Sequence, residues 1–248
     1  MTKYGIDVSK HQGEIDWIKV KNSGKVEFAI LRAGYGKLIS QKDNKFEKNY
    51  SECIKNNIPV GAYWYSYAMS EEEAKQEANA FLQAIKDKQF AYPVYFDLEE
   101  PKQLALGKNK CSAIAKAFLE TVEKAGYFVG LYMSKSHLET YITEEVRNRY
   151  TVWVAHYGIS KTNYSGQFGI WQKSDSGSVS GISGNVDLNE CYFNYPTLIQ
   201  NANLNGFAES NTALNVESKS EQEKYFSVSV DGKNYSGTLK EKLWIKKI

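Results

Sequence analysis

The residues best equipped for chemistry are Asp97 and Glu99, two acids one residue apart at the end of the apolar run Tyr92-Pro-Val-Tyr-Phe-Asp-Leu-Glu-Glu100. Side chains alternate faces along a strand, so Asp97 and Glu99 share one face while Leu98 and Glu100 take the other. At ~3.3 Å rise per residue the two carboxyl groups lie roughly 5–7 Å apart. Acids that close do not ionise independently. Repulsion raises one pKa, and a carboxyl kept protonated near neutral pH serves as a general acid while its neighbour stays charged. The plainer account of such a triplet is a pair of acids in a solvated turn, each satisfied by a lysine or a backbone amide. The elements around it decide between the two.

Pro93 marks the start of that strand, Val94, Tyr95 and Phe96 give it β-branched and aromatic bulk, and Pro101 stops it. Before it, strand signals at 3–8, 26–33 and 60–67 alternate with helix signals near 15–20, 44–57 and from the capping box at Ser70-Glu-Glu-Glu73 onward. After it come a helix over about 112–124, a strand at 127–133, a helix over 136–149 and a strand at 151–155. This alternation predicts an α/β fold, a parallel TIM-like β/α barrel with helices outside. Strands at 168–172 and 185–188 are separated by a short stretch dominated by Gly and Ser with no helix pattern, so the last units lack helices. Barrel sites sit at the carboxyl ends of the strands. Asp7, Tyr65, Asp97 with Glu99, Tyr132 and Asp187 all fall at such ends, so acids from the first, fourth and last strands converge on one mouth.

Composition excludes several other classes. With 248 residues, 42% of them hydrophobic, the chain buries a full core, and a net charge of +2 with no basic block gives no footprint for nucleic acid or a membrane surface. Cys53, Cys111 and Cys191 are far apart and lack metal-ligand spacing, as do His11, His137 and His156. They read as free or buried thiols, and neither metal nor cofactor is expected. No segment approaches a membrane span, and no apolar leader precedes the first strand. The 18 tyrosines and 5 tryptophans suit stacking on sugar rings, although aromatics are commoner in cores than in clefts.

Three separated blocks carry a resemblance: Gly5-Ile-Asp-Val-Ser-Lys-His-Gln-Gly13, the pair in Asp97-Leu-Glu99, and Ile170-Trp-Gln-Lys-Ser with Ser178-Val-Ser-Gly-Ile-Ser-Gly-Asn-Val-Asp-Leu-Asn189. Together they resemble the signature blocks of the family 25 glycoside hydrolases, the CH-type lysozymes, over residues 3–198. The resemblance implies a flattened barrel and cleavage of the β-1,4 bond between N-acetylmuramic acid and N-acetylglucosamine of bacterial peptidoglycan. It also implies action at the cell wall, reached by export or at lysis. Glu99 would then be the general acid. Asp97 would act either as a nucleophile or, on the substrate-assisted route, by holding the N–H of the acetamido group whose oxygen attacks. Asp187 and Asp7 would orient that group, hold the pair or stabilise positive charge on the sugar. One departure is Lys173, where an aromatic, usually Tyr, is common in the family. A sugar-binding protein without catalysis, or a hydrolase of another N-acetylhexosamine polymer such as chitin, remains the alternative.

Alternation places Tyr63, Tyr65 and Tyr67 on one face and Trp64 on the other, so Tyr65 and Tyr63 are expected to line the cleft and Trp64 to pack under helices. Tyr132, Trp171 and His156 complete the candidate substrate contacts, Trp171 with a core role and His156 with a plain surface role as competing accounts. Arg32 either bridges site carboxylates or serves a buried ion pair. A polar stretch over 199–224 reads as a linker or surface wrap. Residues 225–248 then read as a small β module, with strands at 225–230 and 235–239 around Asp231-Gly232 and a third at 243–245. So short a module either binds the wall, dimerises or packs on the barrel.

Overall fold

The apolar runs become the eight strands of a closed barrel in the computed structural model, which describes residues 1–207, 225–230 and 233–238. They are β1 (Lys3–Val8), β2 (Phe28–Tyr35), β3 (Val60–Tyr65), β4 (Val94–Asp97), β5 (Val129–Ser134), β6 (Thr151–Ala155), β7 (Ile170–Gly177) and β8 (Val186–Cys191). Between them run α1 (Trp17–Asn22), α2 (Phe46–Lys55), α3 (Glu71–Ala84), α4 (Pro101–Leu104), α5 (Lys108–Lys124), α6 (Lys135–Tyr141) and α7 (Glu144–Arg149), and α8 (Tyr195–Asn201) follows the last barrel strand. No helix separates β6 from β7 or β7 from β8.

Three differences from the sequence reading have local causes. The helix expected over 136–149 is two, because the chain turns extended at Ile142 and Thr143, where the Ser112 hydroxyl accepts the Thr143 N–H at 2.8 Å. β4 ends at Asp97, four residues before Pro101, which instead opens the short α4 at a position where its missing N–H costs nothing. The barrel is parallel only through β7, since β8 runs antiparallel to both β7 and β1. The connection over residues 178–185 is too short for a parallel crossover, which needs a dozen or more residues. Asp187 therefore reaches the mouth from the beginning of β8, and register sets it directly opposite Asp7.

Strand alternation builds two cores. Ala29, Leu31, Trp64, Phe96, Leu131, Val152 and Trp171 point outward into the layer beneath the helices. Phe28, Ile30, Tyr95, Tyr132, Trp153 and Ile170 point inward and fill the barrel. Trp64, wholly buried, packs on Phe81 of α3 and donates its indole N–H to Gly36 O at 2.9 Å. Gly5 and Gly130 make room inside: a Cβ at either would lie 2.5 Å from Phe28 or 2.4 Å from Tyr95. Filling the lower barrel with these rings pushes the polar residues of the same strand faces to the upper end.

The amino ends of the strands are closed by the segment after β8. Tyr195 packs against Tyr92, Phe128 and Phe193, and the Asn205 amide donates to Phe90 O and Tyr92 O while accepting from Phe128 N–H at 2.7 Å. Residues 199–207, at the head of the stretch read as polar linker, thus include buried contacts of the barrel, and the first compact unit spans Met1–Glu209. The helix α8 carried a sequence signal in Asn194-Tyr-Pro196, a cap followed by an early helical proline. In the second unit, Ser210–Ile248, β9 (Tyr225–Val230) pairs antiparallel with β10 (Lys233–Thr238). The turn at 231–232, the strand expected at 243–245 and the stretch 208–224 lie outside the described residues. Cys53, Cys111 and Cys191 are buried free thiols.

Candidate active site

The upper end of the barrel opens into a cavity of about 380 Å³ lined by Asp7, Asp97, Glu99 and Asp187 together with Arg32, Tyr63, Tyr65 and Tyr132. Each arrives by strand alternation. Gly5 and Asp7 share the inner face of β1, Tyr95 and Asp97 that of β4, and Asp187 and Asn189 that of β8. Glu99 lies two residues beyond the end of β4, on the loop into α4, and is only partly buried, whereas Asp97 is 3% exposed.

Four carboxyl groups in one cavity do not ionise independently, and the environment pushes all four towards their protonated forms. Burial, reinforced by Asp187, pushes Asp7 well above the usual carboxylate range, although Asn189 Nδ2 and Gln172 Nε2 both donate to its Oδ2 at 2.8 Å. Burial also raises Asp187, and its contact with Asp7, directly opposite across β1 and β8, restrains that shift. Burial, then Glu99 and Asp7, raises Asp97, and the Arg32 guanidinium opposes them. Glu99 is raised by burial, then by Asp187 and Glu100. The carboxyl that faces the open cavity is thus held towards its protonated form. Asp97 Oδ1 is buried without a partner among the protein atoms, an acceptor left open.

Gln172 and Asn189 organise this cluster, and the sequence reading gave neither a role. Gln172 Oε1 accepts the hydroxyls of Tyr132, at 2.7 Å, and of Tyr157, while Asn189 Oδ1 accepts the Trp153 indole N–H at 2.8 Å. A polar side chain two residues beyond the inward-facing Ile170, in Ile170-Trp-Gln172, was the available signal. His11, Gln12, Trp153 and Tyr157 also line the cavity.

The other expected contacts divide between the cavity and its surroundings. Arg32 pairs through Nε with the buried Asp43 at 2.8 Å, so its ion pair is structural while its charge still reaches Asp97. Asp43 also accepts the Lys10 N–H at 3.0 Å, which fixes the loop carrying His11 and Gln12. Trp171 is outside the cavity: it faces away from the barrel axis, 2% exposed, and donates to His156 O at 2.8 Å. His156 is turned aside to Thr162, at 3.1 Å, and does not line the cavity. Tyr65 lines the rim and reaches Glu100 at 3.2 Å, whereas Tyr67, past the end of β3, is half exposed beside it. Lys173 points outward to Glu190 at 2.7 Å, away from the cavity, so its departure from the family pattern does not touch the carboxylates. Among the described residues no cluster of His, Cys, Asp or Glu is arranged to hold a metal ion, and no helix is long and apolar enough to cross a membrane.

The sequence profile of Glycosyl hydrolases family 25 matches residues 6–182, which span the acids of β1 and β4 and stop just short of β8. The chain belongs to this family. It is a family 25 glycoside hydrolase with the family's barrel. Escherichia coli K12 YegX, an uncharacterized protein, is 32% identical over 197 residues, covering 76% of this chain and 69% of its own length. The crystal structure of a bacterial lysozyme from Streptomyces coelicolor superposes with a TM-score of 0.67 at 27% identity, covering 83% of this chain and 98% of that one. The modular autolysin LytC of Streptococcus pneumoniae, solved with a synthetic peptidoglycan ligand, gives a TM-score of 0.69 at 29% identity over 77% of this chain. This chain spans 47% of LytC, so less than half of that modular protein is represented.

Proposed function

We propose that the protein is a lysozyme that cleaves the β-1,4 bond between N-acetylmuramic acid and N-acetylglucosamine in peptidoglycan, with retention and with help from the substrate's acetamido group. The observation that carries this is the division of labour among the carboxyls. Glu99 is partly exposed at the open cavity, and Asp97 is 3% exposed with one oxygen unpartnered. Glu99 gives its proton to the glycosidic oxygen as the bond breaks. The acetamido oxygen attacks the anomeric carbon, and Asp97 Oδ1 accepts the acetamido N–H, steering that oxygen and offsetting the positive charge it acquires. Glu99, now ionised, then takes a proton from the water that opens the intermediate. Asp187, directly opposite Asp7 across β1 and β8, brings a further carboxyl to the cavity where the oxocarbenium develops. Tyr65 and Tyr63 offer the rim and wall against which a sugar packs.

The lysozyme of Streptomyces coelicolor, matched almost over its whole length, supports the substrate class. Digestion of purified peptidoglycan followed by borohydride reduction tests it. Reduced muramic acid as the new end, with the β anomer formed first by NMR, is expected. Reduced glucosamine ends, or faster hydrolysis of chitin, would refute the substrate, and an α anomer would refute retention. The unit over 210–248 is proposed as an accessory that binds wall or pairs two copies, outside the hydrolytic step.

A further inference from the structure

Glu77 is a carboxyl that the reaction above does not use, buried in the middle of α3 at 1% exposure. Both its oxygens are occupied by donors from the loop after β3: Oε2 accepts the Ser66 hydroxyl at 2.6 Å and Oε1 the Tyr67 N–H at 2.8 Å. Ser66 is the hub of this arrangement. Its oxygen accepts Gln103 Nε2 at 2.8 Å and the Ala68 N–H at 3.1 Å, and its own N–H donates to Asp97 O at 2.9 Å. Gln103 Nε2 also donates to Ala68 O at 2.8 Å.

Glu99 stands on a bridge that leaves the sheet at Asp97 and enters α4 at Pro101, and Ser66 holds both ends of it. One end is Asp97 O, the other the Gln103 amide. A hydroxyl has one proton and two lone pairs, and here all three are used, so the direction of the whole network depends on Glu77 accepting the Ser66 proton. We propose that Glu77 is a positioning residue for the general acid: as a carboxylate it orients Ser66, and Ser66 fixes the bridge that carries Glu99. The inference rests on the role given to Glu99 above.

The carboxylate is required because two donors meet it. A protonated Glu77, or a Gln in its place, presents one acceptor and one donor, which leaves either Ser66 O–H or Tyr67 N–H opposed by a hydrogen. Burial raises the Glu77 pKa to about 7, the Ser66 and Tyr67 bonds oppose that shift, and the charges facing it are Glu73 on its own helix and Lys37 from the loop after β2. From α4 and α5 the network adds only neutral groups, the Gln103 amide on Ser66 and the Cys111 thiol on Gln103 O. The positioned form therefore gives way to the protonated one as pH falls through neutrality.

Steady-state kinetics on solubilised peptidoglycan from pH 5.5 to 8.5 tests this, with the full chain as wild type, Glu77→Gln, Ser66→Ala and Glu99→Gln. Glu77→Gln is expected to lose roughly tenfold in kcat at pH 8 with KM unchanged, as a displaced catalytic group loses rate and not affinity. The wild-type to Glu77→Gln ratio should shrink towards one by pH 5.5, because Glu99 titrates in both and cancels. Ser66→Ala, which keeps the fold's apolar contacts, should lose a similar factor in kcat whether or not Glu77→Gln folds. A ratio constant with pH, or wild-type kcat in Ser66→Ala, would overturn the proposal. If Glu99→Gln keeps full activity, the role of Glu99 fails and this inference with it. If Glu99→Gln is inactive while the other two variants match the wild type at every pH, only the positioning role fails.

Discussion

Gln172→Met is the substitution that most sharply tests how the acid cluster is held. The two side chains have similar volume, so the change removes hydrogen bonds without opening a cavity. Lost are the bond to Asp7 at 2.8 Å, the one from Tyr132 at 2.7 Å and the one from Tyr157. Tyr157 is 40% exposed, so water replaces its partner; Asp7, at 4%, keeps the Asn189 bond, and the Tyr132 hydroxyl, at 8%, is left unpaired. Each net bond contributes ~1 kcal/mol, and a buried group left unpaired costs roughly 1–3 kcal/mol, which together give about 2–4 kcal/mol. With a urea slope of about 2 kcal/mol/M, the unfolding midpoint of the barrel should fall by about 1–2 M with the slope unchanged. Tryptophan emission reads the transition, since Trp17, Trp64, Trp153 and Trp171 are all buried in the barrel unit. A midpoint shift below about 0.3 M would refute the claim that Gln172 carries this cluster.

Trp171→Phe should keep kcat and KM near wild type while lowering stability by about 1–2 kcal/mol, because the ring packs under the helices; a loss of substrate affinity would restore it to the cleft. Lys173→Tyr should leave turnover on walls unchanged, as its partner Glu190 lies outside the cavity, and a change in KM would contradict that. Stability followed from pH 5 to 8 should fall as pH rises. Asp7, Asp97, Glu99, Asp187 and Glu77 all have folded pKa values raised above their unfolded ones, so folding takes up protons there and ionisation at higher pH opposes it. Glu77 alone, raised to about 7, contributes roughly 3 kcal/mol across its window. His137, lowered by burial, pushes the other way, and a net rise in stability over this range would contradict the assignments.

Local pattern and chain order made much of this site legible. The alternation in Tyr63-Trp-Tyr65 sends one ring under α3 and two to the cavity, as period two requires. Acids at strand ends do converge on one mouth. What the sequence hides is direction and partnership. Asp187 was expected at the end of a parallel strand, and it reaches the same mouth from the start of an antiparallel one, because the length of a connection and not the strand's own residues sets its direction. Trp171 and Gln172 are adjacent, yet the larger ring serves the outer core and the amide the cavity. Residue type favoured the ring, and only register, fixed by pairing with Glu190 and Asn189, decides between them. The Arg32 to Asp43 pair and the Ser66 network link residues far apart in sequence, and no local signal reports such partners.

The most direct test of the central claim is the rate of solubilisation of purified cell walls by Glu99→Gln beside the wild type, with wall binding measured on the same samples. Gln keeps the shape and loses the proton to donate. A fall of ~10²-fold or more in rate with binding unchanged is the expected result. Equal rates in the two proteins would remove Glu99 from the role of acid and contradict the account.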